Sequence, residues 1–190
     1  MPVTPIHMGP GMIVKATVPR YFSIVVFGIT QIAIDVEVLW QIASGGYPLH
    51  RFFHTYLGAG VLACVFALLG KPASQWIKAF WNRIASTNRD PDLTVDTHTT
   101  WTASVSAAFV GTFSHIFIDS LFHLDIEPLR PWSLRNRFQG VVNPHLVELA
   151  CIVLGVAGLV WFFRRELKIR KANRTLVGRS TCSGHDHEQT

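Results

Sequence analysis

The sequence has little charge and almost no cysteine. Only 15% of its 190 residues are charged and 49% are hydrophobic, whereas a soluble domain carries about 25% charged residues. Its 3 cysteines provide no framework for a disulfide-stabilised fold, and two of them, Cys64 and Cys151, lie in apolar segments. Met1–Pro10 has no basic segment followed by a continuous apolar core, so we expect no cleavable signal peptide. This composition favours a protein of the lipid bilayer.

The net charge of +5 would suit either nucleic acid or anionic lipid as a partner. The positions of the basic residues decide between the two, because these residues flank the apolar segments of the chain. We therefore expect contact with membrane lipid and no nucleic-acid binding.

Several apolar segments are long enough to be membrane spans, since a spanning helix needs about 20 mostly apolar residues. They are Tyr21–Ile42, Thr55–Gly70, Trp101–Phe122 and Leu146–Phe163. The second is slightly short unless it begins near His50. We predict an all-α polytopic membrane protein with about four transmembrane helices.

The linkers between these segments differ in character. Within the polar stretch from Lys71 to Thr100, apolar residues recur at the three- and four-residue steps of an amphipathic helix, which predicts a helix lying on the membrane surface. These residues are Trp76, Ile77, Phe80, Trp81 and Ile84. Residues 123–145 are rich in proline and glycine and are interpreted as an irregular loop. We predict one membrane-embedded domain over residues 1–177 and a disordered polar tail over residues 178–190.

The distribution of lysine and arginine predicts the orientation of the chain. Basic residues are concentrated after the fourth apolar segment and in the linker between the second and third, which places both regions on the cytoplasmic side. In this orientation, ionisable residues in or beside the apolar segments fall at the outer face of the membrane. They are Asp35, Glu37, His50, His54, His115, Asp119, His123, His145 and Glu148.

Two histidine motifs have helical spacing. His115 and Asp119 are four residues apart, as are His50 and His54, and side chains at this spacing share one face of a helix. Each pair alone fits a structural hydrogen bond or a helix cap equally well. A carboxylate inside a membrane, however, costs about 2.5–3.5 kcal/mol on insertion scales and usually marks a functional site. Together the pairs predict a metal site.

Asp35 and Glu37 add carboxylates near the end of the first apolar segment. Two residues apart on a regular helix, their side chains diverge, so either the helix unwinds or only one of them enters the site. We predict Asp35 as a ligand and Glu37 as a ligand or general base. The alternative is that the helix simply ends at headgroup depth, where carboxylates are tolerated. Imidazole with carboxylate suits zinc, manganese or iron, and zinc is the ion we expect first.

The order of these motifs is similar to that of a known family. The series Pro5-Ile6-His7 with Gly9, Asp35-Val36-Glu37, His50-Arg51-Phe52-Phe53-His54-Thr55 and Ser114–Asp119 resembles the membrane-bound metal-dependent hydrolases, inner-membrane proteins once described as LexA-binding. The resemblance covers about residues 4–135, including a Pro-Leu-x-Trp-Pro-like stretch at Glu127–Trp132. It implies a metal-dependent hydrolase whose ligands include His7, which by itself looks like an ordinary N-terminal residue.

This sequence departs from the family pattern in two places. Glu37 replaces the second aspartate of a D-x-D motif, and Val38 stands where a histidine is usual. His123 and His145 are candidates for the missing ligand. If His7 is a ligand, Met8–Pro19 has to descend from the outer face and return as a short re-entrant helix.

We therefore expect a metal-dependent hydrolase in a bacterial-type inner membrane, with its C-terminus cytoplasmic. Its expected metal ligands are His7, Asp35, His50, His54, His115 and Asp119. A lipid or lipid-linked phosphate is the expected substrate class. The alternatives are a metal-ion or proton transporter, a haem-binding electron carrier, and a non-catalytic protein in which a metal holds helices together.

Overall fold

The computed structural model describes residues 6–87 and 94–183, with side chains described as far as residue 169. These residues form helices and no strand. The helices are α1 (Met8–Thr17), α2 (Ile24–Ser44), α3 (Tyr56–Thr87), α4 (Trp101–Phe122) and α5 (Pro144–Ser183). The predicted all-α fold is confirmed.

Four of these helices are long and apolar enough to cross a membrane. They are α2, α3, α4 and the Pro144–Ile169 part of α5. The last of these has the highest mean hydropathy, 2.4, and little of its surface is buried by protein, as expected for a helix that faces lipid. The chain therefore has the architecture of a multi-pass membrane protein, as predicted.

The segment expected to form a separate surface helix is instead the second half of α3. Pro72 lies inside this helix without ending it. Polar contacts fix the second half against the chain that follows: Lys78 donates to the carbonyl oxygen of His98 at 3.0 Å, and Asn82 exchanges hydrogen bonds with the backbone of Val95. The apolar spacing predicted the helix but could not distinguish a surface helix from an extension of a span.

The helix α5 is longer than the apolar segment that predicted it. It continues to Ser183 and so includes the first six residues of the segment predicted to be a disordered tail, residues 178–183. The rest of that predicted tail, residues 184–190, lies outside the described residues.

The short helix α1 packs against α5 through glycines that let the two backbones touch. A Cβ at Gly9 would collide with the carbonyl oxygen of Cys151, and one at Gly158 would lie 2.6 Å from the backbone of Met12. At the other end of α1, Arg165 donates to the carbonyl oxygen of Ala16 at 3.3 Å. The helix α1 therefore runs alongside α5.

The segment after α1 reaches the start of α4, where the backbone N–H of Ser23 donates to the carbonyl oxygen of Ala103 at 3.2 Å. The helix α2 begins directly afterwards, and the re-entrant course of α1 stays a prediction. Lys15 donates to the carbonyl oxygens of Pro19 and Phe22 at 2.8 and 3.0 Å. These bonds satisfy its ammonium group within the protein.

The helix α4 lies at the centre of the bundle, against both α2 and α3. Phe27 of α2 packs on Ala107 and Ala108, and all three are fully buried. Small residues on α4 allow the helices to pack closely. Close packing of this kind drives helix association in lipid, because the hydrophobic effect contributes little there. This close packing holds α2 and α4 in the register that brings their polar residues together.

We predict that Gly9→Ala separates α1 from α5, because the new methyl group would meet a backbone carbonyl that cannot rotate away. Overpacking of this kind costs about 1–3 kcal/mol, so the melting temperature of the detergent-purified protein should fall. Gly60→Ala in α3 is the matched control, since a Cβ there meets nothing within 4 Å and alanine favours a helix. Equal melting temperatures for the two variants would contradict the packing described.

Candidate metal centre

Histidines and carboxylates from three separate parts of the chain converge on one point. Asp35 comes from α2, His54 from the loop that precedes α3, and His115 and Asp119 from α4. One ligand atom from each lies within 4.8 Å of the others. Such a group of His and Asp side chains could hold a metal ion.

The shortest distances in this group involve His115. Its Nε2 atom lies 3.0 Å from Oδ2 of Asp119 and 3.2 Å from Oδ1 of Asp35. The Nε2 atom of His54 is 3.7 Å from Oδ2 of Asp119 and 3.8 Å from Oδ1 of Asp35. The i,i+4 spacing on α4 thus places both side chains at the same site, as the sequence predicted.

His7, at the start of α1, lies on the other side of Asp119. Its Nε2 atom is 3.3 Å from Oδ1 of Asp119, and its ring meets that of His115 edge-on with centroids 4.8 Å apart. Burial lowers the pKa of His7, and the nearby carboxylate of Asp119 only partly offsets this. His7 is therefore neutral at neutral pH, which is the protonation state that binds metals.

Partners behind the site orient the two central imidazoles. The amide nitrogen of Gln31 donates to the carbonyl oxygen of Gly111 at 2.8 Å, so its oxygen accepts from Nδ1 of His115, also at 2.8 Å. Glu37 accepts from Nδ1 of His54 at 3.0 Å. A histidine that donates from Nδ1 presents the lone pair of Nε2, and partners of this kind are typical of metal ligands.

Several buried atoms at this point make no hydrogen bond to any described residue. They are Nδ1 and Nε2 of His7, Nε2 of His54, Nε2 of His115 and Oδ1 of Asp119. A buried polar atom without a partner costs about 1–3 kcal/mol. A cation would satisfy the converging nitrogens and the carboxylate together, so the donor set fits a metal ion.

Glu37 contacts His54 from the side opposite Asp35. It also accepts from the backbone N–H groups of Arg51 and Phe53, at 3.0 and 3.1 Å. As expected for a regular helix, only one of the two carboxylates of the Asp35-Val36-Glu37 motif enters the group. These contacts place Glu37 behind His54, on its Nδ1 side, and the role of Glu37 as a ligand or general base stays a prediction.

His50 lies beside this group and belongs to a second one. Its Nδ1 atom is 2.8 Å from Oδ1 of Asp125, and its ring lies against that of His123 with centroids 4.3 Å apart and a tilt of 31°. These three residues form a separate group of potential ligands. Burial raises the pKa of Asp125, but the hydrogen bond and charge of His50, with the backbone hydrogen bonds from His50 and Leu49, together hold this pKa below its usual value. The sequence analysis missed Asp125, although the His123-Leu124-Asp125 spacing was a visible signal.

His145 joins neither group. Its side chain is 90% exposed at the start of α5, and its only charged neighbour among the described residues is Glu148, with Nδ1 and Oε2 3.8 Å apart. Of the two candidates for the missing histidine, His123 is therefore the one near the site.

Access to the first group is restricted. The side chains of His54, His115 and Asp119 are at most 4% exposed, whereas that of Asp35 is 25% exposed. A cleft of about 600 Å³ next to the second group has Asp125, Glu127, Arg135 and Arg137 in its wall. The site is thus buried at its centre and open near Asp35.

Comparison of the chain with protein-family models, curated proteins and solved structures yields no match. The geometry of the two groups is therefore the basis for assigning a function.

We predict that Gln31→Leu weakens zinc binding, because it removes the acceptor that orients His115. Loss of such a partner typically costs 10–100-fold in metal affinity, measurable by competition with a zinc-sensitive dye. Gln41→Leu on the same helix is the control and should bind zinc as the wild type does. An unchanged affinity in Gln31→Leu would contradict the role of Gln31 in orienting His115.

Proposed function

We propose that this protein is a membrane-bound metal-dependent hydrolase. The observation that carries the proposal is the convergence of buried imidazole and carboxylate groups from separate segments, in which atoms of His7, His54, His115 and Asp119 make no hydrogen bond to the described residues. The ion would be held by Asp35, His54, His115 and Asp119, with His7 as a further ligand. Zinc is the proposed ion because imidazole nitrogen and carboxylate oxygen are among its usual ligands, and manganese or iron accepts the same donors.

A divalent ion, when bound, acts as a Lewis acid and lowers the pKa of coordinated water toward about 7. The residues of this chain provide the setting for that chemistry. Gln31 and Glu37 orient the imidazoles, while the surrounding helices exclude bulk water from His115 and Asp119. The greater exposure of Asp35 leaves one side of the site accessible to a substrate.

The position of the site supports a substrate that approaches from one end of the bundle. Asp119 lies in the last turn of α4, His7 precedes α1 and His54 precedes α3, so these three ligands lie where helices begin or end, while Asp35 joins them from the middle of α2. Arg135 and Arg137, in the wall of the nearby cleft, would attract an anion because arginine recognises phosphate well. We therefore propose a phosphoester or lipid-linked substrate.

The proposed location is a bacterial-type inner membrane. The basic residues that follow the fourth span favour a cytoplasmic C-terminus by the positive-inside rule, which places the site at the outer face. The resemblance of the His7, His50–Thr55 and Ser114–Asp119 motifs to inner-membrane metal-dependent hydrolases supports both the location and the activity.

A second candidate function is structural, with the metal holding helices together without catalysis. Nearly complete burial of His54, His115 and Asp119 favours it, because closed metal sites are typically structural. The two candidates differ in whether metal loading adds an activity as well as stability.

We predict that zinc-loaded wild-type protein hydrolyses a phosphoester in mixed micelles and that Asp119→Asn does not. Asp119 contacts both His7 and His115, so its loss should remove the tightly bound zinc and reduce activity at least 100-fold. Metal content and hydrolysis are measured on the same tag-free preparations. His145→Ala, which alters an exposed histidine outside both groups, is the control and should match the wild type.

Two outcomes would oppose the proposal. Zinc retained at the wild-type level by Asp119→Asn would rule out this site. Zinc lost by that variant, with a fall in melting temperature and no hydrolysis by the loaded wild type across phosphoester substrates, would support the structural role instead.

A further inference from the structure

The group of His50, His123 and Asp125 has features of a binding site in its own right. One potential ligand atom from each residue lies within 4.8 Å of the others, and none of the three belongs to the first group. The ring of His50 meets that of His54 edge-on with centroids 4.6 Å apart. The two groups are therefore neighbours that share no ligand.

Backbone contacts fix this second group in place. Oδ2 of Asp125 accepts from the backbone N–H groups of Leu49 and His50, at 3.0 and 3.3 Å, which leaves Oδ1 directed at the ring of His50. The backbone N–H of His123 bonds to the carbonyl oxygen of Asp119 at 2.9 Å. Both ends of the group are thus preorganised, and preorganisation reduces the cost of binding.

The group around Asp125 has more contacts than are needed to hold the loop before α3 in place. The bonds to Leu49 and His50 would hold the loop whatever residue stood at position 123. A second imidazole, that of His123, lies against His50 with ring centroids 4.3 Å apart and a tilt of 31°, and it adds a nitrogen donor beside the carboxylate. Two imidazoles and a carboxylate are a frequent ligand set of zinc sites that keep an open position.

The surroundings of this group differ from those of the first. Asp125 lines the cleft of about 600 Å³, and His123 and Asp125 are both half-buried. An ion held here would be reached from the cleft, whereas the first group is buried among helices. The second group thus has an entry path, which a metal site requires.

We propose that His50, His123 and Asp125 bind a second divalent cation that takes imidazole and carboxylate ligands, zinc being the probe of choice. This ion exchanges with solvent through the cleft more readily than the ion of the first group. Two adjacent cations favour the hydrolysis of a phosphate ester because they can contact both the attacking oxygen and the leaving oxygen. That last consequence rests on the proposed function, whereas the binding site itself does not.

The test counts zinc ions per chain in tag-free, full-length protein that has been loaded with zinc in detergent and desalted. The wild type should carry two, and a brief treatment with dipicolinate should remove one. His123→Phe keeps an aromatic ring against His50 and removes only the nitrogen donor, so it should carry one ion that resists the chelator. Asp125→Asn should also carry one, and His145→Phe is the matched control that should carry two.

The outcomes separate this proposal from the first site. One ion in the wild type, retained by His123→Phe and lost by Asp119→Asn, would overturn the second site and leave the first intact. Two ions in both the wild type and His123→Phe would also overturn it. Two ions in the wild type and one in His123→Phe, with a melting temperature unchanged before zinc loading, would establish it.

Discussion

Imidazole and carboxylate atoms of His7, His54, His115 and Asp119 are buried together without a hydrogen bond to the described residues, and this burial is the constraint on which the rest of the structure depends. Water, which would pair such atoms in a soluble protein, is scarce inside a lipid bilayer. Burial lowers the pKa of His54, yet the nearby carboxylates of Asp35, Glu37 and Asp119 together outweigh burial and raise it. The site therefore attracts positive charge, and a metal ion would supply more of it than a proton can.

The fold provides this site through ordinary packing. Glycines bring α1 against α5 and so place His7 beside Asp119. Small residues on α4 allow close approach of α2, and Gln31 then reaches across to His115 and to the backbone of the same helix. The orientation of each imidazole thus follows from helix contacts that extend well beyond the ligands.

The sequence predicted the helices better than the connections between them. Apolar length and spacing predicted the four spans, and the bounds of α4 match those expected. The spacing of residues 76–84 could not show that α3 continues through Pro72, because a separate surface helix and an extension of α3 have the same helical period. The motif order pointed to His54, His115 and Asp119, but the fold of the loop before α3 decides that His50 turns to Asp125 and that Glu37 holds His54. No periodicity encodes such loop geometry.

The central claim is that distant segments supply several imidazoles and a carboxylate to one ion. X-ray absorption at the zinc edge, on protein loaded with one equivalent of zinc, tests this directly. The account predicts nitrogen and oxygen ligands at about 2.0–2.2 Å, with the outer-shell scattering of at least two imidazoles and no sulfur. A spectrum with one imidazole or none, or with a sulfur ligand at about 2.3 Å, would contradict it.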